Sequence, residues 1–85
     1  MFNGAAKPRP KFDVAHARQI IEQYGPKDRR SPFYIDAPNA SDDQIAHTAA
    51  QLGRIPPGQQ PQTAIQRAFY KKYNGEWPEY APAAP

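Results

Sequence analysis

No cysteine occurs among the 85 residues, and this removes disulfides and thiolate metal sites together. Stability must then come from packing, from a partner or from self-association. A reducing, cytoplasmic setting fits such a chain. Long apolar runs are missing as well. Nothing approaches the roughly 20 apolar residues of a membrane span, and the start, MFNGAAKPRPK, lacks the apolar stretch of a signal peptide. A soluble cytoplasmic protein without membrane contact is expected.

The patterns that carry catalysis are also absent. There is no P-loop, no dinucleotide fingerprint and no G-x-S-x-G elbow. Ser41 is occupied as a helix cap, which leaves a Ser-His-Asp arrangement without support. His16 and His47 stand far apart and have no ligand spacing that would specify a metal. Asp42 and Asp43 are neighbours and point in different directions on a helix. The expectation is a non-enzymatic protein with no cofactor, no metal and no small-molecule substrate.

Proline, by contrast, is abundant: eleven residues, about 13 per cent of the chain against a usual figure of about 5 per cent. One long helix is therefore excluded. Eleven Lys and Arg against eight Asp and Glu leave a net charge of +3, which tilts the chain toward polyanionic partners such as nucleic acid. After terminal tails are discounted, roughly 65 residues remain to bury a core, enough for one small domain.

The composition divides the chain into a flexible basic Pro-rich arm at 1–11, a single helical domain at 12–77 and a flexible Pro/Ala-rich tail at 78–85. In the arm, Lys7, Arg9 and Lys11 alternate with Pro8 and Pro10, an extended pattern that can track a phosphate backbone or remain solvated.

Three amphipathic segments follow, so the fold class is mainly α. In FDVAHARQIIEQYGP, Asp13 is an N-cap, and Val14, Ala17, Ile20, Ile21 and Tyr24 recur at helical spacing. Gly25 is expected as the left-handed terminal residue, and Pro26 forbids continuation. Arg18, Gln19, Glu22 and Gln23 fall on the polar side. The connector KDRRSPFYIDAPNA carries the cluster Lys27, Asp28, Arg29 and Arg30, a solvated loop or a phosphate contact, and then an extended cover segment at about residues 32–36. SDDQ at 41–44 is a capping box that opens a second helix with Ile45, Ala49 and Leu52 inside, ending at Gly53.

Arg54 and Ile55 leave that helix, Pro56, Pro57, Gly58 and Pro61 enforce a turn, and Pro61 or Gln62 begins the third helix. Ile65, Ala68, Phe69 and Tyr73 share its inner face, and Gln62, Gln66, Arg67, Tyr70 and Lys71 its outer one. Asn74 and Gly75 end it, and Trp77 is expected to fold back onto the core. Three helices with such an outer face suit entry into a major groove: Gln pairs with adenine, Arg with guanine, and Lys with phosphate or guanine.

The strings QIIEQYGPK, IAHTAAQLGRI and QTAIQRAFYKK resemble the three-helix Myb/SANT-type helix-turn-helix repeat. That resemblance implies that Ile45 and Ala46 pack inside and that Arg54 approaches the DNA backbone. It also implies that Gln66, Arg67 and Lys71 face DNA, with Phe69 as the aromatic wedge behind them. The chain departs from the family in a longer link between its first two helices, in the IPPGQQP insertion and in lacking the regularly spaced tryptophans.

Two functions remain open. One is regulatory binding of duplex DNA through the third helix (about residues 62–73) and its basic flanks, Arg29, Arg30 and Arg54. The other is a protein-interaction adaptor or inhibitor, of the kind phages and plasmids encode, that binds a component of nucleic-acid machinery such as a polymerase or nuclease. In that case Phe33, Tyr34, Tyr70, Trp77 and Tyr80, with Arg29, Arg30 and Arg67, form the interface. The same aromatics serve equally well as core.

Overall fold

Asp13 starts the first helix as the periodicity predicts. Its backbone is extended, and its carboxylate accepts a hydrogen bond from the N–H of His16 at 3.0 Å. In the computed structural model, which describes residues 10–81, this helix is α1 (Val14–Tyr24), followed by α2 (Asp42–Gly53) and α3 (Ala64–Tyr73). Each helix packs against the other two, so the fold is a three-helix domain. Among the described residues there is no β-strand, only one isolated bridge between Lys11 and Glu79.

The core follows the predicted stripes. Ala17, Ile20 and Ile21 come from α1, Ile45 and Ala49 from α2, and Ile65, Phe69 and Tyr73 from α3. Phe69, 1% exposed, is the largest side chain wholly inside. Trp77 does fold back, its ring centroid 5.3 Å from that of Phe69 and 6.2 Å from that of Tyr73. These rings carry much of the apolar area that a small core needs.

Gly25 differs from expectation, whereas Gly53 ends α2 as expected. Gly25 is extended, with φ −72°, and not left-handed; a Cβ there would stand 2.5 Å from the carbonyl oxygen of Ile21. Gly53 is the last residue of α2 and presses on the Phe69 ring. Both positions demand close approach, at Gly25 to the last turn of its own helix and at Gly53 to a ring of α3.

The cover segment at 32–36 is also different. Ser31 N–H donates to the carbonyl of Asp28 and Tyr34 N–H to that of Ser31, which places Pro32 and Phe33 in a turn. With no neighbouring strand among the described residues to pair with, and Pro32 lacking a donor, a β conformation gains nothing here. Ile35 and Ala37 cover the core instead, Ala37 opening a short 3-10 turn at Ala37–Asn39. Arg18 fixes that turn to α1. Its guanidinium donates to the carbonyls of Ala37 (2.5 Å) and Ala40 (2.8 Å) and pairs with the Asp42 carboxylate at 3.0 Å.

The third helix begins later than Pro61 or Gln62. Pro56 to Gln59 form a hydrogen-bonded turn with Gly58 at φ 80°, as a type II turn requires. Thr63 is then the N-cap of α3: its hydroxyl accepts from Gln66 N–H at 3.1 Å, and the Gln66 side-chain oxygen accepts from Thr63 N–H at 3.2 Å. A reciprocal capping box satisfies two donors, whereas proline at N1 only tolerates the position. Asn74, left-handed at φ 57°, and Gly75 close the helix.

The ends of the described chain meet. Phe12 N–H donates to the Glu79 carbonyl at 3.0 Å and Glu79 N–H to the Pro10 carbonyl at 2.9 Å, while the Tyr80 ring packs edge-on against Phe12. The Tyr80 hydroxyl donates to the Asp43 carboxylate, which favours the protonated phenol and pushes its pKa up to about 12. Pairing between the two ends of the described chain thus involves Pro10, Phe12, Glu79 and Tyr80. Residues 1–9 and 82–85, with Lys7 and Arg9 of the arm, lie outside the described residues.

Candidate nucleic-acid interface

The end of α3 is braced against the start of α1. The Asp13 N–H donates to the Tyr73 hydroxyl at 2.9 Å, and Lys72 lies 3.5 Å from the Asp13 carboxylate. The hydrogen bond from His16 N–H, with smaller contributions from Lys72, holds the Asp13 carboxyl below its ordinary pKa, whereas burial pushes the Tyr73 phenol up. The start of α1 and the end of α3 are therefore tied together, and the outer face of α3 sits on a braced element.

That face shows Arg67, Tyr70 and Lys71 to solvent, Tyr70 being 45% exposed. Arg67 and Lys71 lie one turn apart on its crest. On the side of α2, Tyr70 and Arg54 border one cleft, floored by Gly53 and Phe69. On the side of α1, Lys71 borders a groove with Gln23, Tyr24 and Lys72. Among the described residues, Arg54, Arg67 and Lys71 have no ion-pair partner.

The remaining predicted residues do not join this surface. Gln62 precedes the helix, and its backbone N–H donates to the Gln66 side-chain oxygen at 2.7 Å. That oxygen accepts from Thr63 as well, so the Gln66 amide is committed to the start of α3. Arg29 and Arg30 belong to the loop after α1 and border neither the Arg54–Tyr70 cleft nor the Lys71 groove. Arg30 forms an exposed pair with Asp28, whose carboxyl is held low first of all by the hydrogen bond from the Arg30 backbone N–H.

Tyr24 and Lys72 were not among the predicted binding residues. Tyr24 is 44% exposed although it closes the apolar stripe of α1. Its place as the last residue before Gly25 and Pro26 was a readable sign that it sits where the helix leaves the core. Lys72 pairs with Asp13 across the fold, a contact that leaves no local mark in the sequence.

Among the described residues no group of three or more His, Asp or Glu side chains is placed to hold a metal ion, and no helix is long and apolar enough to cross a membrane. No protein-family model, no curated protein and no solved structure matches the chain.

Proposed function

We propose that this is a small, non-enzymatic, cytoplasmic regulatory protein that binds DNA through the outer face of α3. The observation that carries the reading is the set of unpaired cations on that face, Arg67 and Lys71, with Arg54 beside Tyr70. Unpaired, solvated cations on a rigid helix are available to phosphate at little cost in side-chain rearrangement. The sequence resemblance to Myb/SANT repeats points the same way, and Phe69 is buried beneath that face. With Gln66 engaged in capping, Arg67 and Lys71 are the groups left to contact bases or phosphates.

Titration of the protein with a random-sequence oligonucleotide, single-stranded and annealed, tests this reading. Binding at low salt that weakens steeply as salt rises supports it. No binding to either form at low salt ends it.

A second reading, a protein-interaction adaptor or inhibitor acting on nucleic-acid machinery, draws on a different surface. Phe33, 46% exposed, borders a groove with Tyr34, Ile35, His47 and Gln51 that none of the α3 cations reaches. An exposed aromatic over a half-apolar groove has the composition of a protein contact.

A further inference from the structure

The two most exposed tyrosines lie on opposite flanks of the same helix. At about 100° per residue, Tyr70 falls on the side of α3 that meets α2, and Lys71 on the side that meets α1. The cleft and the groove agree: Tyr70 shares the first with Arg54, and Lys71 shares the second with Tyr24. A line of residues thus crosses the exposed face of α3 from the groove to the cleft, from Tyr24 over Lys71 and Arg67 to Tyr70 and Arg54.

We infer that this track binds a single strand of nucleic acid, with Tyr24 and Tyr70 as stacking platforms for unpaired bases and Arg54, Arg67 and Lys71 as phosphate contacts. The inference rests on the reading of α3 as the nucleic-acid face and names the form of the ligand. Cations set between exposed aromatics on one surface suit a strand whose bases are free to stack on protein. In a duplex the base faces are covered by their neighbours, and the two rings, 44% and 45% exposed, would have nothing to stack on.

Two further observations favour the single strand. Reading adenine in a major groove calls for an amide, and the only amide within α3, that of Gln66, is held by the backbone N–H groups of Gln62 and Thr63. The Tyr70 ring also lies against Gly75, where a Cβ would stand 3.0 Å from Cε2. A ring already held in place loses little freedom when a base stacks on it.

Fluorescence anisotropy decides the matter. The probes are a labelled oligothymidylate of about 15 nucleotides, the matching oligouridylate and a random-sequence duplex of the same length. The expected result is tighter binding of the single strands than of the duplex. Tyr24→Ala and Tyr70→Ala should each weaken oligothymidylate binding by roughly five- to a hundred-fold, while Tyr24→Phe and Tyr70→Phe retain it. Either order of the two single strands supports the inference, and a preference for thymidylate assigns it to DNA. Circular dichroism of each variant keeps loss of fold apart from loss of contact, and Tyr24 is tested independently of Tyr70. Duplex binding as tight as single-strand binding, or alanine variants that bind like wild type, overturns the inference while leaving α3 as a DNA-binding face. Absence of binding to all three probes overturns both.

Discussion

Gly53 and Phe69 approach so closely that a Cβ added to the glycine would stand 2.3 Å from Cδ2 of the ring. The last residue of α2 is thereby laid on the most buried side chain of α3. Gly53→Ala should destabilise the domain by about 1–3 kcal/mol, the usual cost of overpacking, despite alanine's better helix propensity. Thermal unfolding followed by circular dichroism measures it, with an expected drop of roughly 4–8 °C per kcal/mol for a domain this small.

Arg18 is the fastener of the long connector. Arg18→Met keeps the stem but removes the donors to Ala37 and Ala40 and the partner of Asp42, and should cost about 1.5–3 kcal/mol. Arg18→Lys should recover only part of this, because an ammonium cannot span carbonyls and carboxylate as a planar fork does. Limited proteolysis should cut both variants faster between α1 and α2 than the wild type.

Asp13 links stability to pH. Its folded pKa is depressed below the ordinary 3.8, chiefly by the His16 N–H, so its contribution is present above that ordinary value and is lost as pH falls through the folded one. Asp13→Asn keeps a good cap but no titrating charge. The wild type should exceed this variant in melting temperature at neutral pH, and the difference should shrink on acidification to about pH 2.

Gln66 separates capping from recognition. Gln66→Ala should lower helix stability by about 0.5–1 kcal/mol through loss of the capping box. The folded variant should bind nucleic acid as the wild type does, which anisotropy at a temperature well below unfolding can check.

Much of this arrangement was legible locally. The Asp13 and Ser41 caps, the buried stripes and the Asn74–Gly75 stop each depend on residues a few positions apart. The start of α3 was legible too, in the Thr63-x-x-Gln66 box, but the prolines before it suggested an earlier beginning. Other features had no local signal. Gly53 reads as a helix end and gives no sign that Phe69 crowds it, and the partners of Arg18, Tyr73 and Tyr80 lie 19, 60 and 37 positions away. For the same reason Tyr24 could not be joined to Lys71 from sequence, because only packing of α1 on α3 brings them to one groove.

The most direct measurement is the salt dependence of oligonucleotide binding by an Arg67→Ala/Lys71→Ala variant, with its helicity recorded beside it. Each phosphate contact removed should lower the slope of log affinity against log salt by about 1, so a shallower slope and weaker binding at unchanged helicity are expected. An intact variant with the affinity and slope of the wild type would contradict that expectation, and would take the nucleic-acid site off α3.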